Sequence, residues 1–435
     1  MSHVNDEVIN MWYRSSAVTV ATIATVAAVL AGCSSSSSST SSSPSPAGGH
    51  PSGAASPSAS AASPTGTPIK LLMIAQITDP VEGQPVPEVA SGAAAAIDAI
   101  NAVGGIGGRP LQLTVCDDAD NETKAAACAR EATSIGAVAT VGDNTQWGAA
   151  VDPILLSEHV AAVGPNPLTP ADFSLSNMFP IEPGGAATTA GEAVALVKAG
   201  AKHIVVARVD NPASAIVDTF VGAALAPYHL KIFKDVPVPT TAPDLSSYVA
   251  DATSGGADGV LVAMNQNQGD QFLEALRHAG ATLPIAAASS VVPPSAVTTL
   301  GSAADGVLVS SEFLPIDAGG PGISAFLADL QKYEPAAEKD DFSLNGWIAV
   351  DAFAKAMSQL HLTNITSTTV LAGMKQVRGL DLGGVVPNWS TVPLKLPGLS
   401  QDFNPAVMLA KIQGGKVVPS SASFTYPLPG TASAG

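Results

Sequence analysis

Neutral amides and hydroxyls supply most of the chemistry in this 435-residue sequence, and they gather in short polar runs. Gln76, Thr78 and Asp79 form one run, and Asn144, Thr145, Gln146 and Trp147 a second. Asn166 and Thr169, Asp210 and Asn211, Asn265 to Asn267, and Ser289 with Ser290 complete the set. Such groups hydrogen-bond a polar small molecule; they do not abstract protons or attack carbonyls. The same residue types favour helix N-caps and turns, so a structural role is open to each one singly. The candidate ligand-binding residues are Asp79, Thr145, Gln146, Trp147, Asn166, Asn211, Asn265, Gln266, Ser289 and Ser290.

Catalytic patterns are thin. The sequence has no G-x-S-x-G elbow, Walker loop or H-E-x-x-H, and its seven histidines are scattered. "GGIGGRP" follows a helical stretch and lacks the third glycine of a dinucleotide loop, so a turn is expected there. "DDADNET" lacks the glycine and terminal glutamate of a calcium loop and reads as a capped helix start. No catalytic residue, metal ligand or cofactor is expected. The formal net charge of −17 and the lack of Lys or Arg clusters exclude nucleic acid and anionic membrane surfaces as partners.

Each polar run follows a segment that reads as a strand. "IKLLMIA", "LQLTV", "AVATV", "VAAVG", "HIVVARV", "LKIFKDV", "GVLVAM", "PIAAA" and "GVLVSS" are nearly continuous apolar runs, suited to parallel strands covered on both faces. Between them lie helical stretches such as "PEVASGAAAAIDAINAVGG", where Val89, Ala93, Ala96, Ile97 and Ile100 share a face. Alternating strand and helix predicts doubly wound α/β layers, whose ligands sit beyond the carboxyl ends of the strands. About four units precede Phe179 and about five follow Ala186, which divides the chain into two lobes. Two longer helices, "GISAFLADLQKY" and "NGWIAVDAFAKAMSQL", break the alternation afterwards.

The N-terminal region reads differently. Ala17 to Ala31 is apolar or threonine, shorter than the ~20 residues of a membrane-spanning helix. It fits the apolar core of an export signal, with small residues after it. Ser34 to Thr67 is nearly all Ser, Pro, Ala and Gly, too poor in large apolar residues to fold, and reads as a tether. Export places Cys116 and Cys128 in an oxidising compartment. Closing that short loop as a disulfide would stabilise by roughly 3 kcal/mol in the chain-entropy model. The rival reading, a metal site, has no His or third Cys near in sequence.

Leu30-Ala31-Gly32-Cys33 resembles the lipobox of bacterial lipoproteins, in which the cysteine is lipidated and becomes the mature N-terminus. "AAIDAINAVGGIGGRPLQLTVCDDADNETKAAACAREA", "GWIAVDAFAKAM" and "AVMLAKIQGGKVVP" resemble type I periplasmic binding proteins of the branched-chain amino acid group, the substrate-binding lipoproteins of ABC importers. The similarity spans about Pro68 to Pro419.

The resemblance implies an α/β fold of two doubly wound Rossmann-like lobes joined by a hinge, with a disulfide between Cys116 and Cys128. It implies a signal peptide over 1–33, a tether over 34–67, and a first lobe of 68–182 plus about 312–385. The second lobe would be 183–311 plus about 386–425, followed by a tail over 426–435. It further implies a non-enzymatic monomer, anchored to the cell membrane through lipid alone and exposed outside the cytoplasm. Such a protein passes a small polar solute (an amino acid, an amide or a related compound) to an ABC permease. A sensory module of the same fold, signalling to a partner receptor, is the alternative. Amino-acid binders hold the ligand carboxylate after the third strand, which matches Thr145, Gln146 and Trp147, and then on a loop where Asn166 matches. Their ammonium-pairing acid falls in "AASSVVPP", where Ser289 and Ser290 stand, so Asp79, Asp210 or another acid would have to substitute.

Overall fold

Ile69–Ala75 forms β1, and the reason is visible in its burial: all but Lys70 are shielded from solvent. Ile69, Leu71, Met73 and Ala75 join one apolar core while Leu72 and Ile74 join another on the opposite face. A strand covered on both faces has no polar side to alternate with, hence its continuous apolar sequence. The computed structural model describes residues 63–78, 85–211, 213–395 and 398–431. The expected signal segment, Cys33, the expected tether as far as residue 62 and Asp79 lie outside the described residues.

After β1 come α1 (Glu88–Ala102), β2 (Leu111–Asp117), α2 (Glu122–Ile135), β3 (Ala139–Val141), α3 (Gly148–Ser157), β4 (Ala161–Val163) and β5 (Met178–Phe179). The first sheet has the order β2-β1-β3-β4-β5, parallel throughout. Next are α4 (Gly184–Lys198), β6 (Ile204–Val209), α5 (Ile216–Leu225), β7 (Lys234–Val238), α6 (Ser246–Thr253), β8 (Gly259–Ala263), α7 (Gln266–His278), β9 (Ile285–Ala288), α8 (Pro294–Leu300) and β10 (Leu308–Ser311). Then follow α9 (Pro321–Tyr333), α10 (Asp341–Gln359), α11 (Ser367–Met374), β11 (Met408–Gln413) and β12 (Lys416–Pro419). The second sheet runs β12-β11-β10-β9-β8-β6-β7, parallel except for β11 and β12. The fold class expected from the sequence, two doubly wound lobes, is the one observed.

Phe313 and residues of α9, α10 and α11 pack into the core over β1, so the chain returns to the first lobe after β10. That core extends to Trp389, and by Ala406 the chain is buried on the second lobe side, with Val407 in the core beside α4. Leu428, in the segment read as a tail, is buried in that same core. At the other end, Gly66 N donates to Gly108 O at 2.9 Å, tying the end of the segment expected as a tether to the first lobe.

The contact between α1 and α10 is unusually close. A Cβ on Gly92 would lie 1.8 Å from Ser343 O, and one on Gly346 would lie 1.9 Å from Val89 O. Only glycine lets two helix backbones approach so far. Cys116 and Cys128 form a disulfide, joining β2 to α2. Asn121 caps α2 by accepting from Lys124 N at 3.1 Å, so "DDADNET" is a helix start. "GGIGGRP" is a tight turn in which Ile106 and Arg109 exchange backbone hydrogen bonds across Gly107 and Gly108, both at positive φ.

Two strand expectations differ from the structure. "LKIFKDV" becomes a strand only from Lys234, and it extends through Pro237 to Val238. It lies at the sheet edge, where a proline's missing N–H costs no ladder bond. Phe233 stays outside the strand, with its ring centroid 5.0 Å from that of His203. The two-residue β5 was not anticipated, because so short a strand carries no periodic signal.

Candidate functional site

The carboxyl ends of β8, β9 and β10 open into two adjoining cavities of about 350 and 200 Å³, which share Met264 and Ser290 in their walls. Solute pockets are commonly ~300–1,000 Å³, so the larger one is of the size a small molecule needs. Its second-lobe wall is Met264, Asn265, Gln266, Asn267 and Ser290. Pro85 and Val86, just before α1, and Phe342, in the first turn of α10, close it from the first-lobe elements. The cavity therefore lies between the lobes.

Local rules place the amides there. Asn265 is the N-cap of α7, its Oδ1 accepting from Gln268 N at 2.9 Å. Gln266 and Asn267 follow in the first turn, where side chains have no preceding turn to lie on. Gln268 turns inward instead, donating to Val238 O at 3.0 Å and Pro239 O at 3.1 Å. Ser290 follows β9 and lies in the wall shared by both cavities.

The remaining expected residues that the structure describes do not line the cavities. Thr145 is buried and its Oγ1 accepts from Trp147 N at 3.2 Å. Trp147 is half-buried against the core of the first sheet, with Nε1 donating to Asp120 Oδ1 at 3.1 Å. Gln146 is exposed. Asn166 is half-buried, its backbone N–H donating to Asp143 O at 2.8 Å. Asn211 is exposed and its Oδ1 accepts from Ser214 N at 2.7 Å. Ser289 is buried beside Asp341. The structure thus brings Asn265, Gln266 and Ser290 together, along with Asn267, and leaves Thr145, Gln146, Trp147, Asn166, Asn211 and Ser289 outside the cavity walls.

Acidic residues missed by the sequence reading stand in and behind the smaller cavity. Glu192, on α4, lines it and is 1 % exposed, with Oε2 lacking any hydrogen-bond partner. Burial alone holds its carboxyl well above the usual range. Glu312, directly after β10, lines the same cavity. Glu182 sits behind it; burial raises its carboxyl, and the charges of Glu312 and Asp341 raise it further. Asp341 is pushed up to about 7, first by burial and then by Glu312. Asn345 Nδ2 donates to Glu182 Oε1 at 3.1 Å and to Gly164 O at 3.3 Å. The signal that could have found Glu192 is its isolation: it is the only charged residue from Gly184 to Val197.

Chemically, the site can hydrogen-bond and it can neutralise positive charge. Neither cavity is lined by a histidine, cysteine, lysine or arginine among the described residues. No group of three or more His, Cys, Asp or Glu among the described residues is placed to hold a metal ion. No helix among them is long and apolar enough to cross a membrane.

Residues 68–391 match a family described as periplasmic binding protein. No curated protein sequence matches the chain. Solved structures share its architecture at low identity. A leucine-binding protein from Thermotoga maritima is 18 % identical with a TM-score of 0.65, covering 81 % of this chain and 98 % of its own. An ABC transporter substrate-binding protein from Sphaerobacter thermophilus is 16 % identical with a TM-score of 0.70, covering 83 % and 99 %. A solute-binding protein of an ABC transporter from R. palustris, in complex with 4-hydroxybenzoate, is 17 % identical with a TM-score of 0.68, covering 84 % and 98 %. At these identities the likeness is one of fold.

Proposed function

Because this chain belongs to the periplasmic binding protein family, we propose that it is an extracytoplasmic receptor that captures a small polar solute between its lobes and delivers it to an ABC permease. The observation that carries this reading is the inter-lobe cavity of about 350 Å³ walled by Asn265, Gln266, Asn267 and Ser290. Its amides and hydroxyl can orient a polar solute, while Val86, Met264 and Phe342 cover its apolar parts. Solved proteins of like fold include a leucine-binding protein and one that holds 4-hydroxybenzoate, solutes of the size this cavity suits. The protein is not an enzyme in this reading: the cavity amides, hydroxyls and carboxyls hold the solute by hydrogen bonds and charge and leave it unaltered. Cys33 carries lipid, and the Ser-rich segment after it holds a monomeric receptor away from the membrane.

Thermal-shift screening of the purified folded part against amino acids, amides, polyols, amines and aromatic acids tests the capture step. At least one class should raise the melting temperature, as any ligand specific to the folded state must. No stabilisation by any class would refute it. Labelled palmitate incorporated by the native chain, and lost in Cys33→Ala, tests the anchor.

A further inference from the structure

The smaller cavity is an acidic chamber. Glu192 is aimed into it from α4, almost fully buried, with one carboxyl oxygen unpartnered. Glu312 faces the same space from the end of β10, and Glu182 and Asp341 stand behind it. An unpartnered buried polar atom is costly, and native structures supply most such atoms with a partner. Among the described residues, no lysine, arginine or histidine lines either cavity. Arg208, near the carboxyl end of β6, is engaged by Asp235 at 2.6 Å.

We infer that the smaller cavity receives the positive head of an organic cation, an ammonium or amidinium, with Glu192 and Glu312 as its counter-charges. The inference rests on the solute-receptor reading above and names the solute's class. Attraction to two carboxylates in a poorly hydrated chamber is strong, whereas a carboxylate-bearing solute would meet only like charge and neutral dipoles. About 200 Å³ suits a compact head, and the wall shared at Met264 and Ser290 lets the rest of the solute extend into the larger cavity. Without a cation, burial favours the protonated form of the Glu192 carboxyl. When the cation enters, the carboxyl O–H bond breaks and its proton passes to solvent, so binding releases protons. Glu182 and Asp341 are the titratable groups behind Glu312 and share in that change.

The test is a thermal-shift and calorimetric panel sorted by charge. Benzylamine, butylamine, benzamidine, agmatine and choline are each compared with neutral and carboxylate isosteres on the native folded part. Stabilising compounds should be cations, and titrations near pH 7.5 in buffers of different ionisation enthalpy should show protons released. Glu192→Gln should weaken the best cation at least about tenfold, the loss expected when a desolvated charge loses its partner. Its melting temperature without solute should stay near that of the native protein, and Glu312→Gln should act in the same direction. Hits confined to neutral or anionic compounds would overturn the cation assignment while leaving the solute-receptor reading intact. So would an affinity unchanged by Glu192→Gln. No hit of any charge, in this panel and the wider screen, would overturn both.

Discussion

Gly346→Ala is the substitution whose consequence follows most directly from the geometry. An added Cβ would lie 1.9 Å from Val89 O and 3.0 Å from Ala93 N, both backbone atoms that cannot rotate away. Carbon–oxygen contacts settle near 3.3–3.6 Å, so α10 must withdraw from α1 by roughly 1.4 Å. Overpacking of this kind costs about 1–3 kcal/mol, and backbone-on-backbone contact belongs at the top of that range. A folded part of roughly 360 residues melts with an entropy of about 0.8 kcal/mol per kelvin. A loss of about 3 kcal/mol then lowers the melting temperature by about 4 °C with both lobes melting together. Because Phe342 is in the first turn of α10, the shift should also weaken solute capture. Gly222→Ala is the control: that site is inside α5 with nothing within 4 Å. There the added methyl should raise the melting temperature by about 1 °C, through helix propensity worth about 1 kcal/mol. Scanning calorimetry on both variants decides the matter. A Gly346→Ala protein as stable as the native one would refute the claim that glycine is what permits this helix contact.

Stability should fall as pH rises from about 5 to 8, because Asp143 and Asp341 are pushed up to about 7 and Asp402 to about 8, chiefly by burial. In the unfolded chain these carboxyls ionise near 4, so their contribution is complete below that pH and is lost through 7 to 8. Urea midpoints at pH 5.5 and 8 check it; an equal or higher midpoint at pH 8 contradicts it. Reducing the Cys116–Cys128 disulfide should cost roughly 3 kcal/mol in the chain-entropy model, read as a lower urea midpoint with reductant present. Asn267→Ala should weaken solute binding by about five- to tenfold, the worth of one hydrogen bond, while leaving the melting temperature unchanged. Trp147→Phe should do the reverse, losing the 3.1 Å bond to Asp120 at a cost of about 1 kcal/mol while leaving affinity within twofold in calorimetric titration.

Strands buried on both faces write themselves plainly into sequence, which is why β1, β6 and β8 were legible down to a residue or two. The edge strand β7 was misread because apolar Ile232 and Phe233 precede it and Pro237 lies within it. Site residues were harder for a chemical reason. Asn, Ser and Thr serve turns and caps with the same atoms they would offer a solute, and Asn211 and Thr145 are occupied that way. Asn265 does both, capping α7 while its side chain borders the cavity. Glu192 escaped because a lone acid on a helix reads as its solvent side, and α4 has almost none: it is buried from Ala186 to Leu196. Which helices are enclosed all round is decided by tertiary packing that no local period records.

Where the chain leaves a sheet, it has a choice between a loop and a crossover, and two of the acids stand at crossovers. Glu182 lies three residues beyond β5, and Glu312 immediately follows β10. These passages are pinned to other parts of the fold. Trp389 Nε1 donates to Pro180 O at 3.0 Å, Asn404 Nδ2 to Ile181 O at 2.8 Å, and Leu314 N to Val385 O at 2.8 Å. Points on a hinge change their spacing least when two bodies rotate, so an acid pair held there keeps its geometry whether the lobes stand open or shut. Asn265 to Asn267 and Pro85 with Val86 belong to different lobes, and their separation must vary with the lobe angle. Glu312, one of the two counter-charges, would therefore hold its place before closure, and the amides would read the remainder of the solute only as the lobes come together.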